Sequence, residues 1–96
     1  MARSLNVSCT IQVPRNMLFA DLRLTPILTE QIDDQAMNVF ASWARRHGED
    51  PAQLEFTITG RTLDREKNQQ QLVDSTTAQH VPFHVAAVVR RRLRIL

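Results

Sequence analysis

A thiol and an imidazole make a nucleophile and base when they meet, and this chain offers one cysteine, Cys9, and three histidines, His47, His80 and His84. A Cys9 and His84 couple requires the cysteine to face outward. Its neighbours place it inward: Leu5, Val7, Cys9, Ile11 and Val13 take the odd positions of a stretch whose even positions are Asn6, Ser8, Thr10 and Gln12, the pattern of a strand with one buried face. Cys9 therefore reads as a small buried hydrophobe, and alone it forms no internal disulfide. One cysteine does not complete a zinc site with the histidines on any common pattern. Asp33 and Asp34 are adjacent carboxylates, but near the start of a helix the dipole accounts for them more simply than acid–base work. Two glycines in the chain do not write a phosphate-cradling loop or a dinucleotide fingerprint. The expectation is a non-catalytic protein with no catalytic residue, no cofactor site and no metal site.

The remaining chemistry is charge. The net charge is +2, with Arg90, Arg91, Arg92 and Arg94 crowded into the last seven residues. With Arg3 on a neighbouring strand they would neutralise a few phosphates and give weak, salt-dependent nucleic-acid binding. Aromatic residues make up only 5% of the chain, so a base-stacking surface is hard to build. A solvated basic end explains the run as well.

The elements that position these residues follow from pattern. Ninety-six residues make one domain, 1–96. No apolar run approaches the roughly 20 residues of a membrane helix, and no apolar leader follows Met1, which suggests a cytoplasmic protein. Pro14-Arg15-Asn16 suits a hairpin turn. A second strand is expected from Met17 to Thr25, with Leu18, Ala20, Leu22 and Leu24 on one face and Met17, Phe19, Asp21 and Arg23 on the other. Pro26 ends it, and Thr25 or Thr29 caps a helix running to about His47. Ile32, Ala36, Phe40 and Trp43, helped by Val39, form its apolar stripe, and Gly48 suits the left-handed residue beyond it. A third strand alternates through Leu54, Phe56 and Ile58 and closes at Gly60, with a very short fourth over Arg61 to Asp64. Residues 65–79 are polar and read as a loop with one helical turn, anchored by Leu72 and Val73. A last strand begins near Val81, with Phe83, Val85, Ala87 and Val89 on one face and His84, Ala86, Val88 and Arg90 on the other.

Gly48, Pro51, Gln53, Phe56, Ile58, Gly60, Arg61, Leu63 and Asp64, with Phe83-His84-Val85 near the end, resemble the series found in ubiquitin-like domains. The resemblance implies an α+β, ubiquitin-like β-grasp fold in ββαββ order, a mixed sheet packed on one helix. Its first and last strands would lie side by side in the middle, leaving strand two at an edge. It also implies an open sheet face bearing Ser8, Thr10, Thr57, His84, Ala86 and Val88. The chain ends in Arg94-Ile95-Leu96 without a diglycine, so a conjugated modifier is not expected. Thr57 stands where ubiquitin carries the central isoleucine of its partner patch. The expected function is a protein interaction module or small accessory subunit. It would dock through Thr57, His84, Ala86 and Val88, or through edge strand two at Met17 and Phe19, where pairing of two copies would give a homodimer. The alternative is a basic protein binding nucleic-acid phosphates through Arg3, Arg90, Arg91, Arg92 and Arg94.

Overall fold

The computed structural model describes residues 4–74, 76 and 78–92 of the chain. Strand β1 (Leu5–Pro14) is followed by a 3-10 turn (Arg15–Met17), helix α1 (Pro26–Arg46), a second 3-10 turn (Pro51–Gln53), strand β2 (Leu54–Leu63), helix α2 (Arg65–Val73) and strand β3 (His80–Arg91). The sheet order is β1-β3-β2, and both pairings are antiparallel. The order of elements is therefore β-α-β-α-β.

This corrects the ubiquitin-like resemblance and the β-grasp fold it implied. The sheet is not mixed, the order is not ββαββ, and β1 is an edge while β3 alone is central. No second strand forms over Met17 to Thr25. Arg15 extends the β1–β3 ladder by one bond, its N–H donating to the Gln79 carbonyl at 2.8 Å, and the chain then coils away. Leu22 adopts φ +64°, which breaks any extended run. Leu18, Leu22 and Leu24 still pack on the core, so their alternation records burial without strand pairing.

Helix α1 begins where its signals lie. The Thr25 hydroxyl accepts from the Leu28 N–H at 3.2 Å, and Pro26 stands at the first helical position. Leu28, Ile32, Ala36, Phe40 and Ala44 recur at spacings of four and are all buried, against the odd-numbered face of β1 and β3. The Phe40 and Phe56 rings stack at 5.7 Å between centroids. Trp43, expected in the stripe, is only half-buried and packs beside Ala44, Leu54 and Val89, its ring 4.9 Å from that of His47. Gly48 follows the helix at φ +76°, the left-handed conformation expected there.

Gly60 does not close its strand. The β2–β3 register shifts between Ile58 and Gly60, a bulge that inserts one residue and reverses the parity of the residues beyond it. Phe56 and Ile58 face the helix before the bulge; Arg61 and Leu63 face it after. Arg61 then forms a bidentate ion pair with Asp33 of α1. The short fourth strand is thus the end of β2.

Residues 65–73 form a nine-residue helix rather than a loop. Asp64 caps it, its carboxylate accepting from the Lys67 N–H at 3.0 Å. Leu72 and Val73, expected as anchors, are 53% and 88% exposed, whereas Asn68 and Gln71 are buried. The helix is held by polar bonds. Arg15 donates to Asn68 Oδ1 at 2.9 Å, Gln71 and Gln12 exchange amide bonds at 2.9 and 3.1 Å, and Gln71 Nε2 donates to the His80 carbonyl at 3.1 Å. Among the described residues, no helix is long and apolar enough to cross a membrane.

Candidate docking surface

One face of the sheet lies under α1. The other carries the even-numbered residues of β1 and β3, and register fixes which of them are neighbours. Asn6 lies across from Val88, Ser8 from Ala86 and Thr10 from His84. On the far side Thr57 lies across from Val88, Gly60 from Ala86 and Thr62 from His84. Helix α2 covers one end of this face through the Gln12 and Gln71 amide pair, beside fully buried Pro82. Among the described residues, no second layer covers the face from His84 to Val88. Ala86 and Val88 are half-buried by their own cross-strand neighbours, while Ser8, Thr57, Thr62 and His84 are exposed.

Thr57, His84, Ala86 and Val88 therefore share one surface, as the alternation required. Met17 and Phe19 do not join them, nor do they lie on an edge strand. Met17 closes the 3-10 turn after β1. Phe19 sits in the loop beyond, with the Arg23 guanidinium 5.3 Å from its ring centroid and its N–H donating to the Arg23 carbonyl at 3.1 Å.

The basic cluster is divided by its hydrogen bonds. Arg90 is exposed at the end of the open face, across from Glu55. Arg91 bonds Glu49 at 3.1 Å. The Arg92 N–H donates to the Gln53 carbonyl at 2.9 Å, and its Nε donates to the Leu54 carbonyl at 3.1 Å. Two of the three thereby tie the end of β3 to the segment that leads from α1 into β2. Arg3 and Arg94 lie outside the described residues.

Cys9 and His84 stand on opposite faces of the sheet, one in phase with Val7 and Ile11 and the other with Ala86. Burial pushes the Cys9 thiol up from its ordinary value, which keeps it protonated. Among the described residues, no group of three or more histidine, cysteine or carboxylate side chains is placed to hold a metal ion.

The polar network of Gln12, Arg15, Asn68 and Gln71 has almost no signature in the sequence. Its only trace is the three-residue spacing of Asn68 and Gln71, which places two amides on one side of a helix. Comparison with family models, with curated proteins and with solved structures finds no match. What the described residues define is a small α+β domain of three antiparallel strands and two helices, with one sheet face that they leave open.

Proposed function

We propose that this chain is a non-catalytic docking domain that binds a protein partner through the open face of its sheet. The observation that supports this most is the centre of that face. Ala86 and Val88 are small apolar side chains bordered by the hydroxyls of Ser8, Thr10, Thr57 and Thr62. Short side chains lose little rotamer freedom on contact, so an apolar surface laid on this face meets a low ordering cost. His84 supplies a polar group that donates or accepts at the margin. The partner that suits such a face is a protein with a neutral, apolar surface at its contact.

The test is capture from host lysate with and without nuclease, followed by titration with the purified partner. Val88→Arg and a variant with Arg90, Arg91 and Arg92 changed to Ser are run beside the wild type. The expected outcome is a partner that survives nuclease, binds directly, and is lost with Val88→Arg while circular dichroism is unchanged. Binding that ignores Val88, or that nuclease and the arginine changes abolish, overturns the docking reading. The engagement of Arg91 and Arg92 within the fold is why phosphate binding stands as an outcome of this test and is not proposed beside it.

A further inference from the structure

We infer that β1 pairs antiparallel with β1 of a second copy of this chain, joining two three-stranded sheets into one of six strands. The ladder fixes which groups are left over for such a pairing. The Arg15 N–H donates to the Gln79 carbonyl, and residue 15 stands opposite residue 79 in the continuation of the β1–β3 register. Hydrogen-bonded and non-bonded pairs alternate along an antiparallel ladder. The odd residues of β1 therefore bond β3, and Asn6, Ser8, Thr10 and Gln12 direct their backbone N–H and C=O groups to the outer edge. No strand of the described residues lies on that side.

Within the strand itself the usual protections of an edge are missing. From Leu5 to Val13 there is no lysine, arginine, carboxylate or proline, and the register with β3 runs without a bulge. An edge of this length without charge or irregularity is a template for another strand. The outer edge of β2, by contrast, is interrupted by the bulge at Gly60.

The strand is complementary to itself in one register. With Cys9 opposite Cys9 of the second copy, Val7 meets Ile11 and Leu5 meets Val13, so apolar faces apolar throughout. Asn6 then bonds Gln12 and Ser8 bonds Thr10, each pair occurring twice about the axis, and the four pairs give about eight backbone hydrogen bonds at two per pair. Pro14, which has no N–H, falls just outside the ladder. A shift of two residues toward Pro14 sets it opposite Asn6, where it has no N–H to give, and sets Arg15 opposite Leu5.

The helix layer completes the fit. Two grooves run between β1 and α1. One, of about 380 Å³, has Leu5, Val7, Val39, Trp43 and Arg46 in its wall; the other, of about 210 Å³, has Ile11, Val13, Met17 and Leu28 together with Gln31 and Gln35. The two-fold axis through Cys9 brings the first groove of one copy beside the second groove of the other. Leu5, Met17 and Val39, which are 55%, 47% and 41% exposed, lie along this join. Nine paired residues span about 30 Å and the sheet and helix layers together stand about 20 Å tall, so each copy covers roughly 600 Å². The sum for two copies, about 1,200 Å², reaches the lower bound for a specific interface. The open face lies at right angles to this edge and stays free for its own partner.

The experiment is light scattering of the purified full chain over a concentration series. It compares wild type with Ser8→Pro, which takes an N–H from the outer edge and none from the β1–β3 ladder, and with Val39→Lys at an exposed helix position. A wild-type dimer that dissociates on dilution is expected, with each substitution weakening it about tenfold or more while circular dichroism and melting stay native. Diamide should link Cys9 to Cys9 in the wild-type dimer, two thiols passing two protons and two electrons to the diazene, and should not do so in Ser8→Pro at matched concentration. A monomer at every concentration overturns the inference, and so does a dimer indifferent to both substitutions. Addition of a foreign strand at this edge would appear as a monomer that binds a partner lost with Ser8→Pro, and that also overturns it.

Discussion

Gln71 is a polar side chain with a structural task, because its amide joins α2 to both β1 and β3. Replacing it with leucine keeps the volume but leaves the Gln12 amide and the His80 carbonyl short of a bond. Gln71→Leu is expected to cost about 1–2 kcal/mol by urea denaturation, whereas Leu72→Gln should stay within about 0.5 kcal/mol because that side chain is already exposed. At Cys9, the raised thiol pKa means less thiolate in the folded chain than in the unfolded one at any pH below about 9. Its reaction with a disulfide reagent at pH 8 should be slower in buffer than in urea, and equal rates would show that the thiol is not shielded. Parity makes Cys9 legible from sequence alone. Gln71 is not, since a buried glutamine is identified only by the partner that satisfies it.

Among the elements, α1 is the most legible, because its cap, its terminal glycine and Ile32, Ala36 and Phe40 of its stripe all agree, although Val39, expected to help that stripe, is exposed. Thr25→Ala removes the bond to the Leu28 N–H and should cost about 1 kcal/mol in thermal or urea unfolding. The two glycines separate cleanly at this scale. Gly48 holds φ +76°, so Gly48→Ala should cost about 1–2 kcal/mol. Gly60 has no such angle and open space where a Cβ would stand, so Gly60→Ala should be neutral or slightly stabilising in the same melts. Gly60 reads as a strand end because bulges and turns use the same residue. The segment 17–25 reads as a strand because Leu18, Leu22 and Leu24 alternate as strand residues do; their burial is real, but the ladder is not there.

The whole molecule rests on one helix against one sheet face. Phe40 is fully buried at the centre of that contact and stacks on Phe56. Phe40→Ala is expected to cost about 3–5 kcal/mol, a large part of the roughly 5–15 kcal/mol available to a domain. A variant that remains cooperatively folded in urea with an unchanged midpoint would contradict this placement of the core. Open-face substitutions such as Val88→Arg should by contrast leave the midpoint near its original value, since the side chain is not in the helix-facing core.

Local sequence determined a good deal here. The faces of β1, β2 up to Gly60 and β3, both ends of α1 and the inward turn of Cys9 follow from periods of two and nearly four and from caps acting over a few residues. Tertiary structure alone decided which strands pair. Alternation states which side of a strand is wet, and it is silent about the neighbour across the hydrogen bonds. That silence lets a hairpin from Met17 to Thr25 stand in place of the β1–β3 pairing, and with it a ubiquitin-like order. The docking of α2 was decided the same way. Amide and guanidinium bonds hold it, and such bonds exist only once residues 59 and 53 positions apart, as Gln12 and Gln71 or Arg15 and Asn68 are, have been brought together.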